Sequence, residues 1–129
     1  MPVAADLSVL IVDDQITMRS LIRNSMTQMG ITQTREAGDG EEALRALLTR
    51  PSHLVISDFN MPKLDGLSLL RAVRTHPPLK TIAFIMLTGR ADIDLVARAR
   101  QFGVNNFIVK PFTTATLKEK IEEVFGALT

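Results

Sequence analysis

The sequence predicts an α/β protein, a (βα)5 doubly wound three-layer sandwich around a five-stranded parallel sheet. Three observations carry that reading. Short apolar runs alternate with longer stretches of helical spacing along all 129 residues. Three of those runs are apolar nearly throughout, as strands buried on both faces of a parallel sheet must be. Several end abruptly in a polar residue followed by turn chemistry. Right-handed crossovers between such strands leave helices on both faces and every strand C-terminus on one edge, where loops carry the site.

The elements follow in order. Leu7–Val12 is the first strand, closed by Asp13 and Asp14. Met18, Leu21, Ile22, Ser25, Met26 and Met29 then recur at helical spacing, ended by Gly30. The second strand is Thr32–Ala37. Asp39-Gly-Glu-Glu42 reads as a capping box for a helix from Glu41 to Leu48. Leu54–Ser57 is the third strand, running straight into Asp58. Asp65 caps a helix from Gly66 to Thr75, which Pro77-Pro78 stops. The fourth strand is Ile82–Leu87. A helix from about Asp92 to Phe102 follows it and ends at Gly103, a natural left-handed cap. Asn106–Val109 is the fifth strand. The last helix begins near Thr113, with Leu117, Ile121, Val124, Phe125 and Leu128 on one face. No linker, charge block or repeat interrupts the pattern, so one domain over 1–129, its core about residues 7–128, is expected.

Composition removes several function classes. An apolar fraction of 46% and a charged fraction of 22% are those of a globular protein. A net charge of +1 lacks the basic face that nucleic-acid binding needs. Without cysteine there are no disulfides, thiolate metal sites or cysteine nucleophiles. No apolar run approaches the roughly 18 residues of a membrane span, and Met1–Asp6 does not look like a signal peptide. A cytoplasmic monomer is expected.

The residues just past the strands are Asp13 and Asp14, Ala37, Asp58, Thr88 and Lys110. Singly, each has a plain structural reading, since an aspartate after a strand is ordinarily a helix cap or turn former. Together they place three carboxylates, a hydroxyl and an ammonium on one edge. Clustered carboxylates raise one another's pKa, and a hard divalent cation relieves the repulsion. Mg²⁺ suits such a set, because it takes oxygen ligands and one or two carboxylates plus phosphate oxygens. With no cysteine, with His53 expected in a buried strand and His76 at a helix end, transition-metal ligation is disfavoured. A carboxylate beside Mg²⁺ and Lys110 can act as a nucleophile towards phosphorus, with Thr88 offering a hydroxyl to a phosphoryl oxygen. There is no Walker A loop, so the phosphoryl donor is expected to be another protein.

Four segments carry a resemblance: Val9-Leu-Ile-Val-Asp-Asp-Gln15, Ile56-Ser-Asp-Phe-Asn-Met-Pro-Lys-Leu-Asp-Gly66, Leu87-Thr-Gly89 and Val109-Lys-Pro-Phe-Thr113. The chain resembles the receiver domains of two-component response regulators from Leu7 to Leu128. Thr17-Met18-Arg19 and Thr113-Thr-Ala-Thr-Leu117 tilt the match towards the stand-alone chemotaxis regulators. The resemblance implies strand order 2-1-3-4-5 and a phosphoryl group accepted on Asp58 from a histidine kinase. It implies Mg²⁺ held by Asp14, Asp58 and the Asn60 carbonyl, with Asp13 orienting its water. Thr88 and Lys110 would bind the phosphoryl group, the Lys110–Pro111 bond would be cis, and Thr88 and Phe107 would form the switch. The implied partners are the kinase, a flagellar motor switch protein and a phosphatase.

Three positions depart from that pattern. Phe107 stands where the chemotaxis branch usually has Tyr, Arg90 replaces a familiar acid, and Gly89 stands where Ala is frequent. Asn60 and Arg90 are the positions that modulate phosphoryl lifetime in the family. Arg98 and Lys118, among the exposed apolar and basic residues of the fourth and fifth helices, form either the partner contact or a plain solvated face. Alternatives within the family are a phosphate sink and a regulator of a non-motor target. From another class, a Mg²⁺-dependent phosphohydrolase of the haloacid dehalogenase type shares the strand-end Asp, Thr and Lys. It wants a second Asp two residues on, where Asn60 stands, and normally a cap domain. A flavodoxin-like carrier would need a Ser/Thr-rich phosphate loop after the first strand, which is missing.

Overall fold

The structure, a computed structural model, describes residues 3–89 and 93–129. Arg90 and the expected helix start at Asp92 therefore lie outside the described residues. The elements run β1 (Ser8–Val12), α1 (Ile16–Gln28), β2 (Gln33–Ala37), α2 (Gly40–Thr49), β3 (Leu54–Asp58), α3 (Gly66–Thr75), β4 (Ala83–Thr88), α4 (Ile93–Gln101), β5 (Asn106–Val109) and α5 (Thr114–Phe125). Short 3-10 turns at Ala4–Asp6 and Pro77–Leu79 were not expected from the sequence. The five strands pair in parallel in the order β2-β1-β3-β4-β5, as the resemblance implies.

Strand alternation sorts the core into two layers. Val9 and Ile11, Leu54 and Ile56, and Ala83, Ile85 and Leu87 pack with Ile22 and Met26 of α1 and with Leu117 and Ile121 of α5. Leu10 and Val12, Val55, and Phe84 and Met86 pack with Ala43 and Leu47 of α2, Leu69, Leu70 and Val73 of α3, and Leu95 and Ala99 of α4. Most of these side chains are wholly buried, and each Leu, Ile or Val so placed contributes about 1.5–3 kcal/mol over an exposed one. The central strands β1, β3 and β4 are consequently rigid platforms for whatever stands at their ends.

Helix boundaries follow local chemistry. Asp39 Oδ1 accepts from the Glu42 N–H at 2.8 Å, Asp65 Oδ1 from the Ser68 N–H at 2.8 Å, and Thr113 Oγ1 from the Thr116 N–H at 3.1 Å. The expected capping box is half made, because Glu42 Oε2 accepts from the Gly38 N–H rather than from Asp39. Gly30 and Gly103, which end α1 and α4, have φ of 89° and 85°, a region that glycine enters without Cβ strain. Two expectations fail. Leu21 is half exposed and lies off the buried face of α1, which is made by Ile22, Ser25 and Met26. His53 is exposed just before β3 instead of buried within it; its Nδ1 accepts from the Ser8 N–H at 3.0 Å. Among the described residues, no helix is long and apolar enough to cross a membrane.

Candidate functional site

Register brings the acids together. Val12 pairs with Ser57, so the next residues on those two strands, Asp13 and Asp58, stand side by side. Asp58 pairs in turn with Leu87, and Thr88 with Val109, so Thr88 and Lys110 close the row. Main-chain bonds carry the ladder past the strand ends: Asp13 N–H to the Ala37 carbonyl at 3.1 Å, Lys110 N–H to the Thr88 carbonyl at 2.8 Å. The Asp13, Asp14 and Asp58 carboxylates each bring an oxygen within 4.8 Å of the others. Lys110 Nζ donates to Asp58 Oδ1 at 2.9 Å and lies 3.6 Å from Asp13 Oδ2. The Phe59 N–H also donates to Asp58 Oδ1, at 2.9 Å, so that oxygen takes two donors.

The three acids sit at graded depths: Asp13 is buried at 1% exposure, Asp58 is half-buried and Asp14 is exposed. Burial raises the Asp13 carboxyl above the ordinary carboxylate value. The Asp58 and Asp14 carboxylates push the same way, against the Gln15 N–H and the Lys110 ammonium, which lower it. Asp13 Oδ1 accepts that Gln15 N–H at 3.0 Å, but buried Oδ2 accepts no hydrogen bond among the described residues. A buried carboxylate oxygen without a donor is costly, by about 1–3 kcal/mol. An all-oxygen, carboxylate-rich cluster with such an oxygen fits a hard divalent cation, and one lysine at 3.6 Å leaves most of its charge uncompensated.

The chain around Asp58 is shaped by a glycine. A Cβ on Gly66 would lie 2.4 Å from the Asp58 carbonyl oxygen and 2.8 Å from Met86 Sδ, so only glycine lets α3 start this close to β3. The Gly66 N–H closes the loop onto the Phe59 carbonyl at 2.9 Å. Within it, Leu64 N–H reaches the Pro62 carbonyl at 2.8 Å around Lys63, whose φ is 69°, a tight three-residue turn. Asn60 is exposed two residues beyond Asp58.

Thr88 is 2% exposed at the end of β4. Phe107 is half-buried, pairs with Met86 and packs on the α2/α3/α4 side, with the Arg100 guanidinium 5.9 Å from its ring centre. With Met86 opposite Phe107 and Thr88 opposite Val109, alternation puts Thr88 and Phe107 on the same sheet face as diagonal neighbours. The Lys110–Pro111 peptide is cis. Arg98 and Lys118 are exposed on α4 and α5, whereas Arg90, expected beside the acids, lies outside the described residues.

The sequence reading assigned nothing chemical to β2, and there it missed a contribution. Glu36 of β2 receives Arg19 Nε at 3.1 Å and also binds Arg23, while Arg19 Nη1 donates to the Asp13 carbonyl at 2.6 Å. The available signal was two arginines one turn apart on α1 and an acid near the end of the neighbouring strand. Pairing them required the tertiary fold.

Residues 9–122 match the response regulator receiver domain family. A probable chemotaxis protein CheY of Rhizobium etli is 53% identical over 128 residues, covering 99% of each chain. The chemotaxis protein CheY of Pseudomonas aeruginosa is 45% identical over 119 residues, covering 92% of this chain and 96% of that one. The solved chemotaxis response regulator CheY4 of Vibrio cholerae superposes with a TM-score of 0.85 at 30% identity, over 92% of this chain and 98% of its own.

Proposed function

The chain belongs to the response regulator receiver domain family of two-component signalling, with chemotaxis homologues, and from that premise we propose that it is a phosphoacceptor switch acting on Asp58 in the cytoplasm. The observation that carries the reading is the carboxylate cluster with Lys110 Nζ 2.9 Å from Asp58 Oδ1. A carboxylate oxygen of Asp58 attacks the phosphorus of a kinase phosphohistidine. The O–P bond forms as the N–P bond breaks, and the leaving imidazole takes up a proton.

Lys110 and the Phe59 N–H hold Asp58 Oδ1 for that attack, and Lys110 then pairs with a phosphoryl oxygen. Asp14, Asp58 and the Asn60 carbonyl would hold Mg²⁺, with Asp13 orienting its water, and the ion's chemistry is to neutralise charge on the transferring phosphoryl oxygens. Thr88 donates its hydroxyl to another of those oxygens. By resemblance to the family, the Asn60 and Arg90 positions modulate phosphoryl lifetime, through how readily water or a phosphatase reaches the group.

Drawing Thr88 towards the phosphoryl group opens space on the face it shares with Phe107, and Phe107 turns into it. Moving such an equilibrium from 1:99 to 99:1 takes about 5.5 kcal/mol of differential interaction. Two or three charge-assisted hydrogen bonds at roughly 1.5–3 kcal/mol each supply that. Lacking a hydroxyl, Phe107 reports the switch by packing alone. The surface it remodels includes exposed Arg98, Val109 and Lys118, offered to a flagellar motor switch protein. A phosphate sink or a non-motor target would use the same site and differ only in the listener.

Acetyl phosphate with Mg²⁺ tests the acceptor: intact-mass measurement should show one added phosphoryl group on the wild type and none on Asp58→Asn. Addition to Asp58→Asn would move the acceptor elsewhere. Capture of a motor switch protein by the beryllofluoride-treated wild type but not by Asp58→Asn tests the output.

A further inference from the structure

Arg19 is tightly held beside the acidic cluster, yet its own helix gives it no reason to be there. It is the fourth residue of α1, in the first turn, where the positive end of the helix dipole disfavours a cation. Its side chain is only 16% exposed. Nε donates to Glu36 Oε1 at 3.1 Å, and Nη1 donates to the Asp13 main-chain carbonyl at 2.6 Å. Glu36 is bound from its other oxygen by Arg23, one turn further along α1, and its strand position pairs with Ile11 of β1. Two elements thus converge to aim one planar group at one carbonyl.

That carbonyl belongs to the peptide joining Asp13 to Asp14. The Asp13 N–H is already tied to Ala37, and its carboxylate to the Gln15 N–H. The bond from Arg19 completes the set and fixes the plane of the peptide from which Asp14 departs. Asp14 is exposed and has no hydrogen bond of its own among the described residues, so its direction depends on that plane.

We propose that Arg19 is a positioning residue for the metal-binding loop, holding the Asp13–Asp14 peptide so that both carboxylates converge on Asp58. The inference rests on the proposed Mg²⁺ site and deepens it. The role needs the guanidinium fork, because a single ammonium cannot serve Glu36 and the carbonyl in the same geometry. Arg23 is a natural control: it shares the ion pair with Glu36 but does not touch the Asp13 carbonyl.

Mg²⁺ alone, titrated calorimetrically into the wild type, Arg19→Lys, Arg19→Gln and Arg23→Gln, distinguishes positioning from a plain tie between α1 and β2. Affinity should fall about tenfold or more in both Arg19 variants, as when a group supporting a metal ligand is lost. Arg23→Gln should stay within about twofold, since an exposed ion pair contributes little. Urea unfolding of Arg19→Lys and Arg23→Gln should show similar midpoints, separating lost affinity from lost fold. Wild-type affinity in either Arg19 variant, or equal losses in Arg19→Lys and Arg23→Gln, overturns the positioning role and leaves the Mg²⁺ site standing. A wild type that takes up no Mg²⁺ overturns both.

Discussion

Each end of the sheet draws a charge at least partly out of water, half-buried Arg74 at one and buried Asp13 at the other, and they treat it in opposite ways. At the start of β4 and β5, Arg74 donates from Nε and Nη2 to the Gly103 carbonyl, from Nη1 to the Lys80 and Ile82 carbonyls, and from Nη2 to Asn105 Oδ1. Those are five hydrogen bonds of 2.7–3.1 Å, matching the five N–H donors a guanidinium has. Burial lowers the Arg74 pKa from its ordinary value, but every donor is met within the chain. At the other end, Asp13 has one carboxylate oxygen hydrogen-bonded, while the other, among the described residues, accepts no hydrogen bond and has only the Lys110 ammonium at 3.6 Å, with two more acids beside it. A charge whose donors are all met within the chain is a structural tie. A buried one that the chain satisfies only in part points to a ligand.

That contrast breaks most visibly at Arg74. Arg74→Met should cost about 3 kcal/mol, because the part-buried Ile82 carbonyl loses a charged donor at about 1.5–3 kcal/mol and three acceptors nearer the surface lose theirs at a smaller cost. Urea unfolding would measure the loss, and Mg²⁺ affinity should stay at the wild-type value. A parallel loss of Mg²⁺ binding would mean that the two ends are not separate.

Gly66→Ala asks whether the acidic end also has a structural requirement of its own. The added methyl would meet the Asp58 carbonyl at 2.4 Å, and relieving that overlap should cost about 2 kcal/mol. Here stability and phosphorylation by acetyl phosphate should fall together, since the backbone that must yield carries Asp58.

The smallest effect has the opposite sign. Asp13→Asn removes an under-satisfied buried charge, so without Mg²⁺ it should stabilise the protein at pH 7 by about 1 kcal/mol, the low end of what an unpaired buried polar atom costs. Folding raises the Asp13 pKa above its ordinary 3.8, so the protonated form favours the fold. Its contribution is present in full below the unfolded value and is lost as pH rises through the folded one. The advantage of Asp13→Asn should therefore grow as pH rises through the raised Asp13 value and fade as pH falls towards 3.8. A difference that does not change with pH would show that the gain has another source. The same substitution should weaken Mg²⁺ binding.

Much of this was legible before any coordinates. The strand runs, the caps at Asp39 and Asp65, the last helix start near Thr113 and the stops at Gly30 and Gly103 depend on neighbours within a few residues, and they fell within a residue or two of expectation. His53 failed for the same reason in reverse: an imidazole next to an apolar run looks buried until Ser8, 45 residues earlier, supplies a donor at the surface. Leu21 failed because helical spacing marks a stripe, and only packing against the sheet decides where the stripe ends.

By itself, then, the sequence determined the layer architecture and which residue types stand at each strand end, because both follow from short-range periodicity and turn chemistry. Tertiary structure alone decided that Asp13 is deeply buried while Asp14 is exposed, that Asp13 Oδ2 lacks a donor, and that Arg19 reaches a carbonyl with Glu36 steadying it. Burial depth and hydrogen-bond satisfaction are set by strand register and by groups far apart along the chain, which no local pattern encodes. The sequence named the acids at the strand ends, and the fold made one of them short of a partner.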